Sequence, residues 1–130
     1  MRNEAVDILV TSYYRKDFTE KCLLAISNYT TYPHRIIVGD NGSNLETTDM
    51  LEDYFEVGVI DELVLLSENR GLEPMKNILL SHVQSEYFVD TDNDIIAPDG
   101  EWLTRLIKLM DERKDYAAIA CTPQVFIGAI

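Results

Sequence analysis

Three carboxylates stand on alternate positions in the segment YFVDTDNDIIAPDG, residues 87–100: Asp90, Asp92 and Asp94. Like charges this close raise one another's pKa and destabilise a fold unless water or a cation separates them. Carboxylate oxygens are suitable ligands for Mg²⁺ and Mn²⁺. The segment therefore predicts a divalent metal site, although a solvated polar turn also accommodates aspartate.

The same spacing partly fits the calcium-binding loop of an EF-hand. The three aspartates and Glu101 stand at positions 1, 3, 5 and 12 of that frame. However, Ile95 occupies the position where the frame needs glycine for a sharp turn, and Pro98 occupies the ninth position. The preceding segment EYFV is typical of a strand, whereas an EF-hand loop follows a helix. A calcium loop is therefore a weaker interpretation than a Mg²⁺ or Mn²⁺ site.

Asp40 directly follows the apolar run RIIVG and precedes an Asn-Gly pair. Aspartate in such a place often starts a turn or caps the next helix. A carboxylate can also accept the N3 hydrogen of uracil or thymine, or the N1 hydrogen of guanine, whereas cytosine and adenine present an acceptor there. Turn formation and base recognition both remain open for Asp40.

Hydroxyl and aromatic side chains end the first apolar run, at Thr11, Ser12 and Tyr13. Such residues can make local hydrogen bonds at the end of a strand. A pair of hydroxyls and an aromatic ring also suit a nucleoside. By themselves these residues leave both interpretations open.

Two cations and a flexible glycine stand at the start of a predicted helix, at Arg70, Gly71 and Lys76. A helix N-terminus with nearby cations suits a diphosphate, although surface cations are common in any protein. His82 lies on the apolar side of the same predicted helix, which favours a place in the core over a catalytic role. Trp102 is likewise predicted to be a packing residue.

The elements that must position these residues alternate between strands and helices. Apolar runs predict strands at about Val6–Thr11, within RIIVGDNGS, within IDELVLL and at Tyr87–Val89, with a further strand near Ala117–Cys121. Apolar residues at helical spacing predict the helices between them. These stripes are Phe18, Cys22, Ile26 and Tyr29; then Met50, Leu51, Tyr54 and Phe55; then Met75, Ile78, Leu79, His82 and Val83. Asp17 is available to cap the first helix, and a fourth helix is predicted around Trp102–Met110.

This alternation predicts an α/β fold with a mainly parallel sheet and helices on both of its faces. In such folds, ligands bind outside the carboxyl ends of the strands. The polar segments TSYY, GDNGS, ENRG and DTDND each follow a predicted strand. We therefore expect four separate loops to meet at one rim of the sheet.

Length and charge narrow the possible functions. A chain of 130 residues, 46% hydrophobic and 26% charged, has the size and balance of one soluble domain. No apolar run approaches the roughly 20 residues that span a bilayer. A net charge of -12 disfavours a nucleic-acid partner. It is compatible with a phosphorylated small molecule, because a divalent cation can bridge carboxylates and phosphate oxygens.

The N-terminus predicts a cytoplasmic location, and the two cysteines carry no functional signal. Cys22 and Cys121 each stand alone in an apolar pattern, which predicts buried reduced thiols and neither a disulfide nor a metal pair. The segment MRNEAVDILV has a single arginine and reaches polar residues too soon for a secretory signal. We therefore expect a cytoplasmic protein.

Taken in order, these segments resemble the GT-A glycosyltransferases of family 2, which use nucleotide-diphosphate sugars, over nearly the whole chain. ILVTSYYRKD is similar to the first strand and nucleoside loop, and RIIVGDNGSNLET to the strand that ends in a base-contacting aspartate. ENRGLEPMKN is similar to the diphosphate loop and helix, and YFVDTDNDIIAPDGEWL to the acidic motif. The resemblance implies a three-layer, Rossmann-like α/β/α fold in which residues 1–130 form the nucleotide-sugar-binding half of a GT-A domain.

The resemblance also implies roles for individual residues. Thr11 and Tyr13 would flank the base and ribose, and Asp40 would bond the base. Asn69, Gly71 and Lys76 would lie along the diphosphate, and Asn77 would support that loop. The implied nucleotide-sugar-binding set is Thr11, Ser12, Tyr13, Asp40, Asn69, Arg70, Gly71, Lys76 and Asp92. Counted back from Pro98, Asp92 and Asp94 match the D-x-D pair that holds Mg²⁺ or Mn²⁺, with Asp90 and Asp92 as the alternative frame.

The function that the resemblance implies is metal-assisted, inverting transfer of a sugar to an acceptor hydroxyl, with a UDP, dTDP or GDP sugar as donor. Family members usually continue into acceptor-binding segments that supply the general base. We therefore expect the base outside these residues, in an acceptor half or supplied through self-association. A non-catalytic nucleotide-sugar-binding module is the alternative. A nucleotidyltransferase is more distant, because TSYYRKD lacks the glycines of its phosphate loop.

Overall fold

Strands and helices alternate along the computed structural model, which describes residues 5–120. The strands are Val6–Ser12 (β1), His34–Asp40 (β2), Glu62–Leu65 (β3) and Phe88–Asp92 (β4). The helices are Lys16–Tyr29 (α1), Leu45–Glu56 (α2), Leu72–Leu80 (α3) and Trp102–Glu112 (α4). No helix within residues 5–120 is long and apolar enough to cross a membrane.

The strands form a four-stranded sheet in the order β3-β2-β1-β4, and each pair is parallel. Thr11 of β1 lies beside Gly39 of β2 and beside Asp92 of β4. The carboxyl ends of these strands therefore share one edge of the sheet, as the alternating pattern predicted.

The two faces of the sheet carry separate apolar clusters, because successive side chains of a strand point to opposite faces. Ile8 and Val10 belong to the larger cluster, with buried residues of α1, α2 and α4. Leu9 belongs to the smaller cluster, with Met75 and Leu79 of α3. Helices on both faces confirm the predicted α/β/α layering.

A glycine lies in the strand beneath α3, where two side chains of that helix pack. A Cβ at Gly39 would lie 2.4 Å from Met75 Cε and 2.9 Å from Leu79 Cδ2. Both distances are shorter than a van der Waals contact, so a side chain there would require the Met75 and Leu79 side chains to shift. Gly39 thus leaves room for both side chains to pack on the sheet.

The predicted start of the first helix is wrong. Its N-cap is Arg15, in a left-handed conformation without a side-chain cap, and Asp17 lies inside the first turn. There a carboxylate still interacts favourably with the helix dipole. Phe18 and Tyr29 of the predicted stripe are exposed, because the buried face runs through other positions. The buried residues of α1 are Thr19, Cys22, Leu23, Ala25 and Ile26.

Cys22 is a free, fully buried thiol, as predicted, and burial raises its pKa to about 12. Cys121 lies outside the described residues. The strand predicted near its position is absent over residues 117–120, which have no regular structure. Trp102 packs against the larger cluster, as predicted, and its Nε1–H donates to Thr30 Oγ1 at 2.8 Å.

The third helix is shorter than its apolar stripe predicts. It ends at Leu80, where backbone bonds to the third preceding residue tighten the chain into a turn at Ser81 and His82. His82 is therefore not a core residue. Its ring is partly exposed, and Nδ1 lies 2.6 Å from Glu62 Oε1.

The fourth strand begins and ends later than predicted, at Phe88–Asp92 in place of Tyr87–Val89. Backbone pairing with β1 continues past the apolar residues, because Asp90 pairs with Leu9 and Asp92 with Thr11. Asp90 and Asp92 are thus strand residues, and only Asp94 lies in the following turn. Their alternate spacing places Asp90 and Asp92 on the same face of the sheet.

An ion-pair network joins the strands at the opposite, amino edge of the sheet. Asp7 is buried, and its Oδ1 accepts from Arg35 Nε at 2.8 Å. Asp7 Oδ2 accepts from the backbone N–H groups of Gln84 at 2.6 Å and Ser85 at 3.2 Å. Burial by itself would raise the pKa of Asp7, but these bonds outweigh burial and hold that pKa below its usual value. Arg35 Nη1 also donates to Glu62 at 2.8 Å.

Asp7→Ala should lower the free energy of unfolding at pH 7 by about 2 kcal/mol, because it leaves three partly buried donors without their acceptor. The folded-state pKa of Asp7 lies below its unfolded value, so the contribution of the charged form is present at neutral pH. It is lost as pH falls below the unfolded value of about 4. Urea unfolding of wild type and variant at several pH values measures both effects.

The matched control is Asp115→Ala, which removes a fully exposed carboxylate paired with Arg113 and should change stability far less. If the unfolding free energy of Asp7→Ala fell with decreasing pH as much as that of the wild type, this role of Asp7 would be contradicted.

Candidate functional site

Four loops meet at the carboxyl edge of the sheet and are bonded to one another there. We define the carboxyl rim as residues 11–15, 40–44, 66–71 and 90–94. Ser12 bonds Asp40 across the first two loops, Asn41 bonds the third, and Arg15 approaches Asp94 of the fourth. The predicted convergence of the polar loops is therefore confirmed.

Asp40 is the centre of the bonds between the first two loops. It is fully buried, and its Oδ1 accepts from Ser12 Oγ at 2.9 Å and from Ser43 Oγ at 2.6 Å. Its Oδ2 accepts from the Ser43 N–H at 2.8 Å, and Ser43 Oγ also accepts from the Tyr14 N–H at 2.7 Å. The turn-forming role of Asp40 is thus realised, while recognition of a base by the same carboxylate stays a prediction.

The first loop holds two aromatic rings at the surface through an unusual backbone. Tyr14 and Arg15 have φ values of 55° and 53°, a region that non-glycine residues rarely adopt. Such conformations persist only where the surroundings fix them, and they concentrate at functional sites. The exposed rings of Tyr13 and Tyr14 lie 4.8 Å apart at 65° and offer apolar faces to a ligand.

Thr11 carries a buried hydroxyl that has no hydrogen-bond partner in the described residues. Its neighbours across the sheet are Gly39, which has no side chain, and Asp92. Buried polar groups are nearly always bonded, so the unpartnered Oγ1 is available to a ligand or a water. Ser12 points its hydroxyl to Asp40, so the structure gives these two predicted nucleoside residues different surroundings.

Asn41 holds the third loop and was not identified from the sequence. Its side chain is buried, its Nδ2 donates to Gly71 O at 3.0 Å, and its Oδ1 accepts from the Arg70 N–H at 2.9 Å. Asn69 Oδ1 accepts from the Gly71 N–H at 2.8 Å within the same loop. An Asn-Gly pair is an ordinary turn signal, so only the fold shows that Asn41 reaches another loop.

Gly42 allows the second and third loops to touch. Its φ is +84°, and an added Cβ would lie 2.6 Å from the backbone carbon of Glu68 and 2.8 Å from the Asn69 nitrogen. Both atoms belong to the backbone and cannot rotate away. The contact therefore depends on glycine for its conformation and for its size.

The three aspartates of the acidic segment have different partners. Lys76 Nζ donates to Asp90 Oδ1 at 2.6 Å and to Oδ2 at 2.7 Å. The same ammonium lies 4.0 Å from Asp92 Oδ1, and Arg15 Nη1 lies 3.8 Å from Asp94 Oδ2. Lys76 and the acidic segment, predicted separately, are thus brought together.

Other bonds hold the acidic segment against α1. Asn93 Nδ2 donates to Thr19 Oγ1 at 2.8 Å, and Cys22 Sγ lies 3.7 Å from the Asp92 carbonyl oxygen. These contacts fix the backbone, which leaves the neighbouring carboxylates at the surface. Asn77, predicted to support the diphosphate loop, is exposed on α3.

Residues 5–120 contain no group of three or more His, Cys, Asp or Glu side chains that could hold a metal ion by themselves. Asp92 and Asp94 nevertheless fit Mg²⁺ or Mn²⁺, because they offer carboxylate oxygens and their nearest cations lie at 4.0 and 3.8 Å. Mg²⁺ commonly takes only one or two carboxylates from a protein and completes its shell with water and substrate phosphates. The donor set therefore suits an ion that binds together with a diphosphate.

A cavity of about 450 Å³ lies between β4 and α4, and Asp90 and Thr91 of the carboxyl rim are among its lining residues. Its lining is largely apolar and includes Val89, Trp102 and Ile107. A diphosphate needs cations, and the Lys76 ammonium and Arg15 lie beside the acidic segment of the carboxyl rim. The rim is therefore the better site for a charged ligand.

Residues 7–128 match the model of glycosyl transferase family 2, and the chain belongs to that family. The four-stranded parallel sheet with helices on both faces is the GT-A fold of this class. The resemblance found in the sequence motifs is thereby confirmed.

Two curated relatives come from Bacillus subtilis (strain 168). EpsH, named as a glycosyltransferase, is 31% identical over 101 residues, which are 76% of this chain and 29% of EpsH. TuaG, named as a teichuronic acid biosynthesis glycosyltransferase, is 28% identical over 90 residues, which are 68% of this chain and 35% of TuaG. The matched part of this chain thus corresponds to about a third of each relative's length.

Two solved structures share the fold. The mannosyltransferase PcManGT from Pyrobaculum calidifontis, in complex with GDP-Man and Mn²⁺, is 26% identical with a TM-score of 0.71 over 81% of this chain and 32% of that one. A fragment of S. aureus TarS in complex with UDP-GlcNAc is 19% identical with a TM-score of 0.73 over 85% of this chain and 32% of that one.

Proposed function

We propose that this chain is the donor-binding portion of a glycosyltransferase that moves a sugar from a nucleotide-diphosphate sugar to an acceptor hydroxyl. One observation carries the proposal. In a chain of family 2, four polar loops meet at one rim of the sheet, and the carboxylates of Asp92 and Asp94 there have no cation in direct contact. Support also comes from PcManGT, which is 26% identical and was solved with GDP-Man and Mn²⁺. The cytoplasmic location predicted from the sequence stays a prediction.

The nucleoside would occupy the side of the rim formed by the first two loops. The exposed ring of Tyr13 offers a face on which a base can stack, and the unpartnered Thr11 hydroxyl can bond the ribose. Asp40 can recognise a base only if part of its carboxylate turns from Ser12 or Ser43 to the base N–H. The diphosphate would lie along Asn69, Gly71 and Lys76 at the start of α3, where N–H groups and a cation suit anions.

Asp92 and Asp94 would hold Mg²⁺ or Mn²⁺. When bound, such an ion offsets the negative charge that develops on a departing diphosphate. The chain's own residues would fix the donor, because Asn41 and Gly42 hold the diphosphate loop and Asp40 holds the nucleoside loop. A single displacement, in which the acceptor hydroxyl attacks the anomeric carbon from the face opposite the departing diphosphate, would invert that carbon, as the family resemblance implies.

Calorimetric titration with UDP, dTDP, GDP, CDP and ADP, each with and without Mn²⁺, tests this function. We expect binding that Mn²⁺ strengthens, and about a tenfold or larger preference for UDP, dTDP and GDP, because a charged hydrogen bond contributes about 1.5–3 kcal/mol. Asp40→Asn should remove the preference, while Asp49→Asn, an exposed charge control on α2, should keep it.

Equal affinity of the wild type for all five nucleotides would show that Asp40 only forms the turn. Absence of binding by any of them, with Mn²⁺ present and the protein folded, would contradict the proposed function itself.

A further inference from the structure

Asp90 differs from Asp92 and Asp94 in that a lysine ammonium contacts its carboxylate directly. Asp90 and Asp92 lie on the face of β4 that looks towards α3, because Asp90 pairs with Leu9, which packs on Met75 and Leu79. Lys76 follows Met75 on that helix and brings its ammonium to both oxygens of Asp90, at 2.6 and 2.7 Å.

The exposure of each carboxylate and its distance from the nearest cation both increase in the order Asp90, Asp94, Asp92. The side chain of Asp90 is 43% exposed and has a cation in direct contact. Those of Asp92 and Asp94 are 64% and 47% exposed, and their cations lie at 4.0 and 3.8 Å. Only Asp90 is bonded closely enough for its charge to be neutralised within the protein.

We infer that Asp90 is a positioning residue that holds the Lys76 ammonium at the carboxyl rim, and that it is not a metal ligand. The inference rests on the proposed function, and it selects Asp92 and Asp94 over the alternative frame that includes Asp90. It also explains how three neighbouring aspartates are accommodated, since one of them has its own counter-ion.

The geometry of the ammonium shows what this positioning achieves. Lys76 has three N–H donors, and its ammonium bonds both oxygens of Asp90. The ammonium lies 4.0 Å from Asp92 Oδ1, beyond hydrogen-bond distance, so its third donor remains for a diphosphate oxygen beside Asp92. Thr11, the cross-strand neighbour of Asp92, adds a buried hydroxyl without a partner on the same face.

Holding Lys76 in this way also reduces the cost of ordering it when a ligand binds. A free lysine loses much rotamer entropy on binding, and a side chain that is already fixed loses less. The Lys76 side chain is only 25% exposed, and its ammonium contacts Asp90. We therefore expect Asp90 to strengthen diphosphate binding, although its own charge repels a diphosphate.

A double-mutant cycle with Asp90→Asn, Lys76→Met and the double variant tests the inference through two binding measurements. The first is UDP affinity in EDTA, measured by ligand-observed NMR, and the second is Mn²⁺ affinity at saturating UDP. Each single variant should lower metal-free UDP affinity about 3- to 10-fold, and the double variant should lower it no further than Lys76→Met. Mn²⁺ affinity should stay within about twofold of wild type in Asp90→Asn.

The controls separate positioning from general effects of charge or stability. Asp115→Asn also removes a carboxylate from an ion pair, with Arg113 at 2.9 Å, and should leave both affinities unchanged. Lys76→Arg, which retains the cation, should recover part of the affinity lost in Lys76→Met. Thermal unfolding of every variant shows that the fold is retained.

Two results would overturn the inference while leaving the proposed function intact. Loss of Mn²⁺ affinity in Asp90→Asn would make Asp90 a metal ligand. Unchanged or tighter metal-free UDP binding in that variant would show that Asp90 competes with the diphosphate for the Lys76 ammonium. A wild-type chain that binds no UDP with or without Mn²⁺ would instead contradict the proposed function.

Discussion

Asp94→Asn should remove most of the Mn²⁺-dependent affinity for a nucleoside diphosphate and leave metal-free affinity nearly unchanged. Loss of a group that only orients a metal ligand typically costs about 10- to 100-fold in metal affinity, so loss of a ligand should cost at least as much. The fold should be retained, because the ion pair given up within residues 5–120 is the exposed contact with Arg15 at 3.8 Å. Such pairs contribute at most about 1 kcal/mol, and relief of repulsion from Asp92 offsets part of it.

Isothermal titration of Mn²⁺ into the UDP-saturated variant measures this effect. Asp99→Asn is a suitable control, because Asp99 is an exposed carboxylate paired with Arg105 at the start of α4. Undiminished metal dependence in Asp94→Asn would remove Asp94 from the metal site.

Gly42→Ala should have the second large effect, on stability and on nucleotide binding together. A φ of +84° costs an alanine about 1–2 kcal/mol, and its Cβ would stand 2.6 Å from the Glu68 backbone. The third loop would have to move, which would break the bonds from Asn41 to Arg70 and Gly71. We expect at least about 2 kcal/mol of lost stability and roughly tenfold weaker UDP binding, measured by urea unfolding and calorimetry.

Gly58 provides a matched control within the same chain. Its φ is +88°, nearly that of Gly42, but an added Cβ would meet nothing within 4 Å. Gly58→Ala should therefore cost only the backbone strain, about 1–2 kcal/mol, and leave UDP affinity unchanged. Equal effects of the two substitutions would show that contact between the loops contributes nothing.

The sequence predicts the alternation of elements well, because each strand begins in a short apolar run that polar residues follow, although only β1 and β2 are largely buried. It predicts the ends of elements less well, since tertiary contacts decide them. Pairing with β1 carries β4 through Asp90 and Asp92, although both are poor strand formers. Likewise α3 ends at Leu80, and His82 turns to Glu62 at 2.6 Å, a partner 20 positions earlier in the chain.

The rim was predictable in outline, because parallel strands must deliver their polar ends to one edge. The bonds that shape it were not, because they join residues far apart in the chain. Asn41 bonds Arg70, and Ser43 bonds Tyr14, yet both look like ordinary turn residues in sequence. The pairing of Lys76 with Asp90 also depends on the packing of α3 on the sheet, for which Gly39 leaves room.

The position of a bound nucleotide tests the central claim most directly, and amide NMR of the ¹⁵N-labelled chain measures it. Adding UDP with Mg²⁺ should shift the amides of residues 11–15, 40–43, 69–77 and 90–94. Replacing part of the Mg²⁺ with paramagnetic Mn²⁺ should broaden the amides next to Asp92 and Asp94 first. Shifts centred on Trp102 and Ile107 in the apolar cavity, or on the Asp7 network at the opposite edge, would contradict a donor site at the carboxyl rim.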